Sequence, residues 1–400
     1  MNENDGHVDC GIVGGGPAGL LLALLLARRG WRVSVIDKHE IRDTRMAKIS
    51  PFLAPPSLEL FDELGFLGEL ARVGQPVREV VEHTAAGEQR AMDYSSDIWG
   101  RHPYIMSTPL PTLTGLLHDA LEEEPTAAVL PSTSVRGLAE TADGGYRLEL
   151  ADARQERTMT CRYLICSDGK FSAMRTLAGI GADVFRFDRP AVFVIQPQPP
   201  GWPERVDIHH AADGSWLGVL PVANGQLAVQ WAPDPAEFEQ VRSAGAAALR
   251  ARISAFRPDL AGWLDGLTDW DQVFVAYHHV VQPEVWSRGG LALLGDSAHG
   301  VHAIGAQGLN MAVQDALVLA DRLIRAEEGE QIAPLASYEA LRCPFVSDFQ
   351  RYQMRLPHAT SQGDRDRAGD SMYAGIARLM ASGQPEVRSC YERVVAGSRN

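Results

Sequence analysis

The sequence predicts an α/β chain in which a Rossmann-like nucleotide-binding domain is interrupted by an inserted antiparallel β-sheet and followed by C-terminal helices. Three features predict it. Residues 8–37 run strand, glycine-rich turn, helix, strand and acid, and residues 291–323 run short apolar strand, glycine-rich loop and long helix. Between them, from Ala191 to Val281, the pattern changes to short alternating strands split by turns such as Ala212-Asp213-Gly214 and Ala223-Asn224-Gly225. Two nucleotide-type segments enclose a different region, so the nucleotide domain is expected to be discontinuous.

Taken in order, Val8, Ile12 and Val13 read as a buried strand leading into Gly14-Gly15-Gly16-Pro17-Ala18-Gly19. Gly14 serves the tight turn, Gly16 the close approach of a pyrophosphate, and Gly19 the packing of helix on strand. A helix over 17–29 and a strand over 31–36 follow, ending in Asp37, 23 residues after Gly14, near the spacing of a carboxylate that binds an adenosine ribose. Ser57 to Gly65 reads as an amphipathic helix with a glycine stop, Val77 to Asp93 as strands, and Leu113 to Glu123 as a helix. Tyr146–Leu150 and Tyr163–Cys166 read as strands, followed by Ser167-Asp168-Gly169-Lys170-Phe171-Ser172-Ala173-Met174-Arg175. A helix near 236–256 interrupts the alternating region, and helices over 335–354 and 376–380 close the chain. In the 291–323 unit a carboxylate, Asp296, ends the strand and can accept from ribityl or ribose hydroxyls. The helix starting near Gly308 offers unpaired N–H groups and a partial positive charge to an electron-rich ring. With the N-terminal fingerprint, this points to a bound flavin.

At 400 residues the chain has room for an ample core, and its formal charge of −14 argues against nucleic acid or an anionic membrane surface as partner. The run Leu20–Ala27 is too short to span a bilayer and follows a strand and a turn, so it is expected to be a buried helix. Five cysteines without CxxC or metal spacing predict a reduced, cytoplasmic chain with no metal.

The motifs GGGPAG at 14–19, SDGKFSAMR at 167–175 and GDSAHGVHAIGAQGLN at 295–310 resemble, in order and spacing over residues 8–355, the three fingerprints of the single-component (group A) flavoprotein aromatic monooxygenases. The form of the third is similar to the ubiquinone-biosynthesis hydroxylase branch. The resemblance implies the para-hydroxybenzoate hydroxylase (GR2-type) fold. It divides the chain into FAD-binding segments 1–79, 106–190 and 286–350, substrate-domain segments 80–105 and 191–285, and a helical region 351–400. It also implies that Gly14, Gly16, Pro17, Ala18, Gly19, Asp37 and Lys38 hold the ADP half of FAD, with Arg45 near the pyrophosphate. Asp168 belongs to the motif tied to FAD and nicotinamide. Gly295 and Asp296 would meet the pyrophosphate and ribityl chain, and Gln307, Gly308, Leu309 and Asn310 the flavin ring. Ala306 replaces the family's first loop glycine: a small change at negative φ, a strain at positive φ. Ala303 replaces a proline, and Ser107 to Pro111 lacks the arginine that the family places near residue 110.

The activity implied is insertion of one oxygen atom from O2 into a small aromatic or polyketide-like substrate, at carbon or nitrogen, through a flavin C4a-hydroperoxide. Electrons would come from NADH or NADPH, directly or through a flavin reductase, in a monomer or homodimer. Two other classes stay open: a flavoprotein that binds FAD and ligand without oxygenating, and a halogenase. The halogenase reading is weakened because Trp216-Leu217-Gly218-Val219-Leu220-Pro221 lacks a second tryptophan and no lysine stands in the expected place. Among polar residues, His302 and Gln307 are the catalytic candidates, His299 a structural anchor, and Tyr338 and Arg342 packing residues. Alternation in the sheet sends one of His209/His210 and one of His278/His279 to each face, with Trp216 and Tyr277 as candidate aromatic walls.

Overall fold

A computed structural model describes residues 6–41, 50–94, 101–212, 214–361, 371–382 and 384–395. Its nucleotide-type layer is an eight-stranded sheet whose parallel core runs, in space, Leu291–Leu293, Glu156–Cys166, His7–Val13, Val33–Ile36 and Ala127–Leu130. Such strands are covered on both faces, so they read as unbroken apolar runs rather than alternating ones. The helix Pro17–Ala27 shows why Leu20–Ala27 is apolar all round. It packs between the helices Leu110–Glu122 and Gly308–Glu327, and every residue from Ala18 to Ala27 is buried. No helix among the described residues is long and apolar enough to cross a membrane.

The second layer is a seven-stranded sheet in the order Val273–Ala276, Ala191–Pro197, Gln226–Ala232, Trp216–Val222, Arg205–His210, Glu79–Thr84 and Gly87–Asp93. It is antiparallel except where Arg205–His210 runs parallel to Glu79–Thr84, a pairing of distant segments that the sequence pattern did not foretell. One face, carrying Val192, Val194, Leu217, Val219, Val229 and Trp231, packs on its own helical layer. The other, carrying Ile208, Trp216, Ala228 and Ala232, joins the main core against the nucleotide-type layer. The helix expected over 236–256 is two helices, Pro235–Ala244 and Ala246–Phe256. They are broken at Gly245, whose φ of +84° closes one and opens the next.

A polar hub pins the glycine-rich loop after Leu293 to two helices. His299 Nε2–H donates to Asp315 Oδ2, while Arg342 Nε donates to Asp315 Oδ1 at 2.6 Å and its Nη2 to the Met311 carbonyl at 3.4 Å. All three side chains are buried, and they tie the turn 296–299 to the helices Gly308–Glu327 and Pro334–Arg355. Tyr338 adds a bond from its hydroxyl to the Leu293 carbonyl at 3.2 Å. The anchoring and packing readings of His299, Arg342 and Tyr338 agree with this geometry. Burial alone would raise the Asp315 carboxyl, but His299 and Arg342 outweigh it and hold it below its ordinary value. The group is therefore depressed in the folded state, so its contribution is complete above the unfolded carboxyl pKa and is lost as pH falls through the folded one. Asp315→Ala, which strands a buried guanidinium, is expected to lose about 3–5 kcal/mol in urea unfolding of the FAD-free protein. Asp315→Asn should show a smaller acid-side loss of stability than the unmodified protein.

Candidate active site

The first half of the site is set by steric fit. Gly14 has φ +117°, and a Cβ there would lie 2.2 Å from the Ser167 carbonyl oxygen. A Cβ on Gly19 would lie 2.1 Å from the Gly14 oxygen, so helix and strand approach as closely as backbone allows. Gly16 differs: its φ of −75° and ψ of 173° suit any residue, and a Cβ there meets nothing within 4 Å. What Gly16 leaves open is space in front of the helix N-terminus, where Pro17 occupies the first turn and Ala18 is buried. Asp37 accepts from the Gly15 N–H at 2.6 Å through Oδ2 and from the His39 N–H at 2.7 Å through Oδ1, which fixes its carboxylate at the edge of that space. Lys38 beside it is exposed. Arg45 lies outside the described residues.

The second half meets the first at Gly295, which has φ +62° and whose Cβ would come within 3.7 Å of Ala18 Cβ. Asp296 opens a short helix, and its Oδ1 lies 3.9 Å from where a Gly308 Cβ would stand. Between them Ala306 takes φ +55°, the strained branch of the expectation for this position. The reason is tertiary. Asn310 Nδ2 donates to the Ala306 carbonyl at 3.0 Å and to the Phe52 carbonyl at 2.9 Å, while its Oδ1 accepts from Ala54 N–H and Ser57 Oγ, both at 2.8 Å. The Asn310 amide is thus committed to holding the loop, and what residues 308–310 can offer a ligand is backbone. The helix Gly308–Glu327 has Gln307 at its N-cap without a side-chain cap, so the N–H groups of Gly308, Leu309 and Asn310 are its unpaired first-turn donors. Gln307 Nε2 donates to the Gly305 carbonyl at 2.8 Å, and its Oε1 is buried with no partner.

The middle motif acts as a clamp, and sequence reasoning missed how. Asp168 caps the turn that follows it, accepting from Ser172 Oγ at 2.5 Å and Met174 N–H at 3.0 Å. Lys170 Nζ donates to the Val301 carbonyl at 2.7 Å and Arg175 Nη1 to the Ser297 carbonyl at 2.9 Å, so this motif holds the third one in place. Gln353, also unforeseen, braces the far side, accepting from His302 N–H and donating to the His302 and Ile304 carbonyls at 3.0–3.1 Å.

His302 is buried against Phe187 and His278, with ring centroids 4.6 and 4.4 Å away. Its Nδ1 accepts from the Ile304 N–H at 3.0 Å, so in the neutral ring Nε2 carries the proton. Burial, then His278 and Lys170, push it well below the ordinary histidine range, and it is a neutral N–H donor at physiological pH. The seven-stranded sheet alternates as expected at His209 and His210, whereas His279 lies in a separate two-stranded ribbon with Ala182–Arg186 and His278 precedes it outside any strand. His209 turns to the outer face, where its ring stacks on His83 at 4.1 Å, while His210 turns inward beside His358 at 4.7 Å. Trp216 is buried in the main core and donates to the His358 carbonyl at 2.9 Å, whereas Tyr277 is 57% exposed.

These residues fit a flavin dinucleotide. An open cradle at Gly16 faces a helix N-terminus, a second helix presents free N–H groups, and a buried Gln307 oxygen lacks a partner beside it. The FAD-binding domain family matches residues 7–352. Protoasukamycin 4-monooxygenase of Streptomyces nodosus subsp. asukaensis is 31% identical over 362 residues, 88% of each chain. The 6-methylpretetramide 4-monooxygenase of Streptomyces rimosus is 28% identical over 399 residues, 98% of this chain and 93% of the other. PqsL of Pseudomonas aeruginosa, solved in complex with 2-aminobenzoylacetate, superposes with a TM-score of 0.80 at 25% identity, covering 93% of this chain and all of that one. With the glycine cradle, the third loop and the two sheet layers in these positions, the chain belongs to the FAD-binding domain family and is an FAD-dependent monooxygenase of the para-hydroxybenzoate hydroxylase fold.

Proposed function

We propose that this monooxygenase hydroxylates a small aromatic, polyketide-like molecule in specialised metabolism, and that the substrate lies between the inner face of the seven-stranded sheet and the 302–308 loop. The observation that carries the reading is that loop: a braced turn that ends in the uncapped N–H groups of residues 308–310 beside the unpartnered Gln307 Oε1. The substrate class is supported by the relatives that act on protoasukamycin and 6-methylpretetramide. Bound FAD supplies the activation of O2 and the transfer of one oxygen atom. The protein holds its adenosine and pyrophosphate at Asp37 and Gly14–Gly19, with Lys38 at the rim, and its ribityl chain at Gly295 and Asp296. The first-turn N–H groups at 308–310 and the Gln307 side chain meet the ring, where aligned donors stabilise negative charge. His302 offers a fixed N–H, and the buried sheet face excludes water. Five free thiols accord with a cytoplasmic enzyme, working as a monomer or homodimer.

Two outcomes check this. FAD-loaded protein, supplied with NADH or NADPH alone and then with a flavin reductase, is expected to take up O2 and return a product one oxygen atom heavier from phenolic tri- and tetracyclic aromatics, 6-methylpretetramide among them. Flavin that is reduced and reoxidised with every such compound unchanged would falsify the oxygenase role and leave a binding protein. Separately, Gly16→Val should weaken FAD binding by about tenfold or more while leaving the melting temperature of FAD-free protein unchanged, since its side chain enters only the ligand's space. Gly19→Val should lower both.

A further inference from the structure

The inner face of the sheet carries a polar cluster that the flavin does not use. His210, at the end of the strand Arg205–His210, has a 7% exposed side chain, and neither of its ring nitrogens has a hydrogen-bond partner. His358, 1% exposed and just beyond the helix Pro334–Arg355, packs edge-on to it at 4.7 Å with its Nδ1 also unpartnered. Glu82 lies across the strand pair, one carboxylate oxygen 3.9 Å from His210 Nε2 and the other accepting from the Tyr373 N–H at 3.2 Å. One helix turn joins this cluster to the flavin loop. Tyr373 donates to Glu82, and Ile376, three residues on along the same helix, stands 2.5 Å from where a Gly305 Cβ would be. The helix Met372–Ser382 therefore touches the cluster at Tyr373 and the flavin loop at Ile376, which places the cluster next to the loop against which the proposed substrate lies.

Three buried ring nitrogens without partners are costly unless something completes them. Burial lowers the pKa of His210 to about 4 and that of His358 to about 3, so each ring is neutral and presents one donor and one acceptor. Glu82 and Arg189, both buried in this neighbourhood, bring charges of opposite sign, which favours neither an anionic nor a cationic guest. The group that fits is one that both donates and accepts without charge.

We infer that His210 and His358 form a hydrogen-bonding clamp for an uncharged hydroxyl of the aromatic substrate, a phenol or enol distant from the carbon that is oxidised. The inference rests on the substrate reading above and adds to it the polar end of the pocket. The clamp binds and orients; the oxygen transfer does not pass through it.

The test compares 2-hydroxyanthraquinone with anthraquinone, which differ by one hydroxyl, titrated calorimetrically into FAD-loaded protein. The unmodified protein is expected to prefer the hydroxylated probe by about 10- to 100-fold. His210→Leu and His358→Leu should each bring that preference to within about threefold while retaining FAD as before, and His210→Asn, which keeps a donor and an acceptor, should restore part of it. If the leucine variants do not fold, the unmodified protein labelled with 15N-histidine answers the same question. Ring-nitrogen signals should move with 2-hydroxyanthraquinone and stay with anthraquinone. A preference that survives in the variants, or ring signals indifferent to the hydroxyl, means that water completes the histidines, and the clamp is wrong. Unmodified protein that binds neither probe removes the substrate reading itself, and the clamp with it.

Discussion

The structure depends on how the loop between Gly300 and Gln307 is held. The segment has no ladder of its own, so its backbone groups need partners from its own side chains and turns or from outside the loop. Lys170 and Arg175 take the Val301 and Ser297 carbonyls, Gln353 takes those of His302 and Ile304, and Asn310 takes that of Ala306. The buried His299–Asp315–Arg342 hub fixes the turn on one side, and Asn310 ties the other to residues 52–57. With these carbonyls occupied, the backbone groups left unpaired are the first-turn N–H groups of the helix at 308, beside the unpartnered Gln307 Oε1. Backbone donors fixed in this way can meet an electron-rich ring without first having to reorganise.

That division of labour explains what the sequence disclosed. The roles of Gly14, Gly16 and Gly19 were legible because they are local sterics. A strand, a turn and a helix at fixed spacing leave no room for a Cβ at two positions and open space at the third. The sign of φ at Ala306 was not legible, because it is decided by bonds that Asn310 makes to segments 250 residues away in the chain as well as to its own turn. Asp168 could be read as a ligand of the cofactor or as a turn cap, and its side-chain bonds are those of a cap. Lys170, Arg175 and Gln353 gave no signal, since they act on carbonyls more than 45 residues away and a carbonyl has no side-chain identity to recognise. Gly245 was visible, but a lone glycine in a helical pattern is tolerated often enough that only its positive φ reveals the break.

The inserted sheet repeats the lesson at the level of register. Period-two alternation correctly separated His209 from His210, because strand pleating alone dictates that. Which of the two faces the cofactor depends on what covers each face. The parallel pairing of Arg205–His210 with Glu79–Thr84 then places Glu82 opposite Ile208 and next to His210, joining two stretches far apart in sequence.

The same desolvation governs the histidines and the chemistry. His302, His278, His210 and His358 are all driven below the ordinary histidine range, with burial the largest cause in each. In surroundings that keep four imidazoles neutral, a neutral N–H or ring nitrogen is worth more than the same group at the surface. An enzyme whose cofactor carries the bond-making step has little need of a charged acid among them. It needs fixed, uncharged donors and acceptors that hold the substrate at one orientation, and a buried neutral histidine supplies one of each.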